Sequence, residues 1–204
     1  MTVGERIAAE RLVAIFRGDY RGKWTDYAIA LIDGGVSILE VTLNSPGALE
    51  AISDLKRYFS DEITIGAGTV LSADKVDAAV AAGAQFIVAP DTDPAVIAAA
   101  KTRGAFMIPG AYTATEVKLA HLLGADMVKL FPAQTPEYLT LIHAPLDHIP
   151  LMVTGGVTAD NAREYIRRGA KAVGVGNYLT SLTISLGEVR TRAESMRAVL
   201  GIGS

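Results

Sequence analysis

Cysteine is absent from the 204-residue chain. That excludes disulfides, thiolate metal sites and a cysteine nucleophile, and it leaves a cytoplasmic setting as the default expectation. Histidine is scarce: the chain has His121, His143 and His148 only. His121 falls in a helix-like stretch and the other two flank a loop. None is expected at a strand end, so no metal site is expected. Basic charge is not in excess. The formal net charge of -3 gives no electrostatic footprint for nucleic acid. Long apolar runs are missing too, since none approaches the roughly 18 residues that would cross a bilayer. The opening MTVGERIAAERL carries Glu5 and Glu10 and lacks the apolar centre of a signal peptide. What the chain does have is hydrophobic content, 50% of its residues. That is enough to bury a large core in one domain spanning 1–204.

The hydrophobic residues are rhythmic. Short β-branched runs recur as LVAIF (12–16), SILEVTL (37–43), ITIGAGT (63–69), QFIVAP (85–90), AFMIPG (105–110), DMVKLF (126–131), LMVTGG (151–156) and AVGVGN (172–177). Their spacing of roughly 20–25 residues suits repeated βα units. Helix-like stretches lie between them, at 74–83, 93–104 and 113–124, closing on Gly83, Gly104 and Gly124. Thr113 and Glu116 have capping-box spacing. Ser45-Pro46, Asp93-Pro94 and Thr135-Pro136 each read as an N-cap followed by proline at the first helical position. Near-continuous hydrophobicity means strands covered on both faces. The expectation is a (β/α)8 TIM barrel with one extra N-terminal helix, residues 2–10. An open doubly wound sheet is the weaker alternative, because eight similar units in so short a chain close naturally.

One residue breaks the pattern. Lys129 sits inside DMVKLF, and desolvating its ammonium costs several kcal/mol or lowers its pKa. In a barrel the C-terminal strand ends carry the site. The polar residues of this apolar chain gather there: Arg17 on strand 1; Glu40, Thr42 and Asn44 on strand 2; Thr69 on strand 3; Lys129 on strand 6. Glycine-rich ends follow strands 7 and 8. Each has a bland reading on its own, as a snorkelling lysine, a structural partner or a surface charge. A buried lysine, a buried glutamate and a rim arginine together form an acid–base and anion-binding set that no core requires. A desolvated lysine is a neutral amine near pH 7, able to form a Schiff base with a ketone. Glu40 can move protons, Arg17 can grip a carboxylate as a fork with Thr69 adding a hydroxyl, and backbone N–H groups at Gly155-Gly156 and Gly176-Asn177 can hold phosphate.

AIFRG (14–18), LEVTLNSP (39–46), GAGTVL (66–71), VAPDTDP (88–94), MIPGAYTATE (107–116), VKLFPA (128–133) and VTGGVT (153–158) occur in order along nearly the whole chain. In these pieces the sequence resembles the class I 2-keto-3-deoxy-6-phosphogluconate aldolase family, which includes the phosphogalactonate and 4-hydroxy-2-oxoglutarate aldolases. The resemblance implies Lys129 as the Schiff-base lysine and Glu40 as general acid/base. It implies Arg17 and Thr69 on the pyruvyl carboxylate, and Gly155, Gly156, Gly176 and Asn177 at the phosphate. Asn44, Pro90, Pro109, Phe131 and Thr154 become pocket walls. It implies a small keto-acid substrate, no cofactor, no metal, and a homotrimer with neither nucleic acid nor membrane as partner. Asn44 follows the galactonate-cleaving pattern and Thr154 the gluconate-cleaving one. Asn177 replaces the serine usual at the phosphate loop.

Rival readings use the same residues differently. An isomerase or epimerase barrel would share the late glycines without needing Lys129 beside Glu40. A 4-hydroxy-2-oxoglutarate aldolase would dispense with phosphate. A non-catalytic trimeric scaffold would display apolar helix faces, but Tyr27, Ile29, Ile52 and Leu119 can equally belong to ordinary helix faces.

Overall fold

The strands form where apolar runs let both faces be covered. They are β1 (Leu12–Phe16), β2 (Ile38–Thr42), β3 (Thr64–Gly68), β4 (Phe86–Val88), β5 (Phe106–Ile108), β6 (Gly110–Ala111), β7 (Val128–Leu130), β8 (Leu151–Thr154) and β9 (Ala172–Val175). The computed structural model describes residues 1–202; Gly203 and Ser204, the last two of the expected domain span, lie outside the described residues. Every ladder is parallel, in the order β5-β4-β3-β2-β1-β9-β8-β7-β6. β5 and β6 are halves of one expected run, parted at Pro109, which has no N–H to donate. The Pro109 carbonyl still accepts from the Lys129 amide at 2.8 Å. Because β5 pairs with β4 and β6 with β7, the chain itself joins the sheet's two edges into a barrel.

Alternation along each strand sorts the residues. Leu12, Ala14 and Phe16 of β1 belong to the outer core beneath the helices, whereas Val13 belongs to an inner cluster with Ile38, Phe86, Ile108, Met127 and Met152. The same parity turns Glu40 inward on β2 and Lys129 inward on β7. The extra helix, α1 (Val3–Glu10), begins at a Thr2–Glu5 capping box and sends the fully buried Ile7 into the inner cluster. It covers the N-terminal mouth of the barrel, and among the described residues the polar side chains stand at the opposite, open end.

Local signals place the other helices. α4 (Ala73–Ala81), α5 (Pro94–Thr102) and α6 (Ala114–Leu122) are followed by Gly83, Gly104 and Gly124 at φ of 107°, 70° and 98°. Thr113 and Glu116 make the expected capping box. Asp93 caps α5, and Thr135 caps α7 (Pro136–His143), each with its proline at the start. The Ser45-Pro46 expectation is wrong. α3 (Ala48–Phe59) starts two residues later, on Gly47 at φ 73°. Ser45 is buried, and its hydroxyl accepts from the Gly18 amide at 3.0 Å and lies 2.9 Å from Thr42 Oγ1. It laces the β1 and β2 loops together instead of capping a helix. Of the apolar helix residues, Tyr27 and Ile52 are core, while Ile29 and Leu119 are exposed. No described helix is long and apolar enough to cross a membrane.

Candidate active site

The floor of the open end is made by β2, β3 and β7. Glu40 is 2% exposed and Lys129 6% exposed. β2 and β3 pair Glu40 with Gly66 and Thr42 with Gly68. The Glu40 side chain lies across Gly68: a Cβ there would stand 1.8 Å from Glu40 Oε1. Glycine is therefore what makes room for the carboxyl. Glu40 Oε2 is buried with no hydrogen-bond partner among the described residues. The Lys129 Nζ lies 5.0 Å from the centroid of the Phe131 ring, a side chain of the same inward parity. Asp126, three residues earlier, faces outward and is held by Lys101 at 2.6 Å and the Met107 amide at 2.8 Å.

Burial is the main force on both titrating groups. It pushes the Lys129 amine below its ordinary value; Glu40 pulls it back up, Arg17 pushes it further down and Asp91 raises it. Burial likewise raises the Glu40 carboxyl, opposed by the charges of Lys129 and Arg17. The two shifts run in the directions that favour a neutral amine beside a proton-holding acid.

Above the floor lies a cavity of about 530 Å³. Arg17, Thr69, Pro90, Phe131 and Thr154 line it, as do Gly155, Gly156, Gly176 and Asn177. Arg17 donates to Asn44 Oδ1 and to Thr69 Oγ1, both at 3.1 Å, so Asn44 reaches the site through the guanidinium. Thr69 holds a left-handed φ of 55°, a conformation that a β-branched residue adopts only under constraint. Pro109 is buried in the wall between β5 and β6 and does not line the cavity. Thr154 Oγ1 is buried with no hydrogen-bond partner among the described residues. Gly155 and Gly156 both have positive φ, 101° and 71°. Among the described residues, their amides and that of Asn177 donate to no protein acceptor. Gly155 and Gly156 lie in the loop that leads into α8 (Ala159–Arg167), and Asn177 opens the short α9 (Asn177–Thr180); unpaired N–H groups of this kind can hold an anion.

Sequence reasoning missed Ile15, Val157, Thr158 and Tyr178, which also line the cavity, and Asp91, which acts on Lys129. Ile15 could have been found from inward parity with Arg17; Tyr178 carries no signal beyond its position after Asn177. The histidines lie on α6, at the end of α7 and just beyond it, which is the opposite end of the barrel from the site. Among the described residues no three His, Asp or Glu side chains cluster as metal ligands would.

Similarities to known proteins run along the chain. A family model described as "Aldolase: KDPG and KHG aldolase" matches residues 3–191. A Rhizobium meliloti protein named probable 2-dehydro-3-deoxy-6-phosphogalactonate aldolase is 35% identical over 185 residues, 89% of this chain and 87% of its own. A 2-dehydro-3-deoxy-phosphogluconate aldolase of Treponema pallidum is 33% identical over 169 residues, 81% of this chain and 80% of its own. A solved structure described as native KDPGal superposes with a TM-score of 0.88 at 34% identity, covering 92% of this chain and 93% of that one. A KDPG aldolase of Legionella pneumophila, described with pyruvate captured as a covalent carbinolamine intermediate, superposes at 0.83 with 26% identity, covering 100% and 99%.

Proposed function

The chain belongs to the KDPG and KHG aldolase family, and on that premise we propose that it is a class I aldolase working through an imine on Lys129. It cleaves 2-keto-3-deoxy-6-phospho sugar acids reversibly to pyruvate and glyceraldehyde 3-phosphate. The observation that carries this reading is the inward, buried pair of Lys129 and Glu40 under an open cavity.

The geometry supports a sequence of steps. The neutral Lys129 amine adds to the C2 ketone, and Glu40 protonates the departing hydroxyl of the carbinolamine. The resulting iminium takes the electrons of the C3–C4 bond as Glu40 removes the C4 hydroxyl proton, and the aldehyde leaves. The enamine is then protonated at C3, and water releases pyruvate from Lys129. Arg17 and Thr69 hold the carboxylate, as a fork and a hydroxyl. The amides of Gly155, Gly156, Gly176 and Asn177 receive the phosphate. Thr154 faces the sugar-acid carbons and Asn44 holds Arg17 beside them, with Pro90 and Phe131 shaping the walls and Pro109 buried behind them. The family resemblance supports a homotrimer, and the absence of cysteine a cytoplasmic enzyme.

Asn177 favours one second reading, a 4-hydroxy-2-oxoglutarate aldolase, because its amide side chain crowds the position where a small hydroxyl would meet phosphate. The test is borohydride trapping: protein, pyruvate and borohydride are combined, digested and weighed. The expected adduct is on the peptide containing Lys129. Lys129→Ala abolishes both adduct and cleavage, and Lys129→Arg restores neither, since a guanidinium stays protonated. An adduct elsewhere, or none, rejects the assignment. Specificity constants for the phosphorylated and unphosphorylated substrates then separate the two readings.

A further inference from the structure

Tyr178 lines the cavity beside Gly176 and Asn177. Behind it stands an arginine from the last helix, α10 (Leu186–Leu200). The Arg192 guanidinium carbon lies 5.0 Å from the centroid of the Tyr178 ring, and Arg192 Nη1 donates to the Tyr178 carbonyl at 2.9 Å. Arg192 Nε donates to Glu188 Oε1 at 2.8 Å, one turn back on the same helix. The arginine thus grips both the ring and the peptide of one residue while a carboxylate fixes its own orientation. Its side chain is 29% exposed, so it is not core packing. It also lies just past residues 3–191, the span that the family model matches.

The rest of the short α9 is pinned at its far end. Thr180 Oγ1 donates to the Ile15 carbonyl at 2.6 Å, and the buried Tyr20 hydroxyl donates to the Thr180 carbonyl. Arg192 is the restraint at the near end, where the Asn177 amide opens on the cavity. An aromatic ring presents a negative face to an anion, and a guanidinium stacked on the ring offsets it. A planar guanidinium stacks on the ring while its N–H groups donate in the same plane; an ammonium has no plane to stack.

Resting on the phosphate-end reading above, we propose that Tyr178 is a specificity-determining residue for a phosphomonoester at the aldehyde end of the substrate. Arg192 is the positioning residue that holds it. The pair selects phosphorylated over unphosphorylated substrate without touching the Lys129 chemistry.

The test compares wild type, Arg192→Ala, Arg192→Lys, Tyr178→Leu and the Arg192→Ala/Tyr178→Leu double variant. Each is assayed on a 2-keto-3-deoxy-6-phospho sugar acid and on 4-hydroxy-2-oxoglutarate, and with inorganic phosphate as inhibitor of the latter. Arg192→Ala should raise KM for the phosphorylated substrate, and the phosphate inhibition constant, about tenfold, the effect of losing one charged hydrogen bond. kcat and the specificity constant for 4-hydroxy-2-oxoglutarate should stay within about twofold. Arg192→Lys should recover less than half of the loss. In the Tyr178→Leu background, Arg192→Ala should cost clearly less than it costs wild type, since only the grip on the residue 178 carbonyl remains to be lost and coupled residues are not additive. Equal losses on both substrates, additive losses, or full rescue by lysine would each overturn the proposal. If wild type itself shows no preference for phosphate, the phosphate-end reading fails and this proposal with it. A wild-type preference that Arg192→Ala leaves intact overturns the proposal alone. Borohydride trapping with pyruvate in every variant reports that the barrel and Lys129 are intact.

Discussion

Gly68→Ala places one methyl group against Glu40, the proposed acid/base, without replacing any titrating group. The new Cβ would sit 1.8 Å from Glu40 Oε1, 2.6 Å from its carboxyl carbon and 2.9 Å from Cγ. Ordinary contact begins at 3.4 Å, so the carboxyl oxygen must retreat by about 1.6 Å. Little free space surrounds the carboxyl, since Glu40 is 2% exposed and already lies against Gly68 of β3. Such overpacking costs about 1–3 kcal/mol of stability, which a barrel of this size tolerates. A misplacement of about 1 Å in a catalytic group costs on the order of 10²-fold in rate. The variant should therefore fold, with a melting temperature only a few degrees down. Its kcat for aldol cleavage should fall about 10²-fold, and pyruvate should still be trapped on Lys129 at saturating concentration. The assay pairs a coupled pyruvate-release measurement with borohydride trapping and a thermal melt. A Gly68→Ala enzyme with near-normal kcat would refute the reasoning, because it would mean that the Glu40 carboxyl need not stand where it does.

Glu40→Gln keeps the shape and removes the proton carrier, so turnover should fall by roughly 10²–10⁴-fold in steady-state assays while pyruvate binding changes far less. The ionised Glu40 raises the proton affinity of Lys129, so this variant should also move the acid limb of pyruvate-imine formation to lower pH in a trapping-rate profile. Arg17→Ala acts in the opposite direction: it removes a charge that lowers the Lys129 pKa, so the limb should move up, and the pyruvate dissociation constant should rise at least about tenfold in a titration. Asn177→Ser places a small hydroxyl donor at the proposed phosphate end and should widen the preference for phosphorylated over unphosphorylated substrate in a ratio of specificity constants; an unchanged ratio would remove Asn177 from that proposed site.

The sequence by itself determined the barrel and most of the rim. Eight apolar runs at a regular spacing, with helices between them that open on caps such as Asp93-Pro94 and Thr135-Pro136 and close on glycines, favour a closed barrel over an open sheet, because parallel strands must be covered on both faces and so many similar units close in a short chain. The period of two sent Glu40 and Lys129 to the same side of the sheet, and their cost of burial marked them as a pair before any distance was known. Tertiary structure decided the rest. The split of strand 5 at Pro109 appears only when a neighbour asks for a hydrogen bond that proline cannot give. Ser45 looked like a cap by local spacing, but a bond to Gly18, 27 residues away, took it. Gly68 was legible as a glycine at a strand end, not as the space in which the Glu40 carboxyl lies. Tyr178 and Arg192 are 14 residues apart on two helices, and no local pattern joins them. Periodicity encodes which way a side chain points; what it meets there depends on elements distant in the chain, and only the closed barrel brings those together.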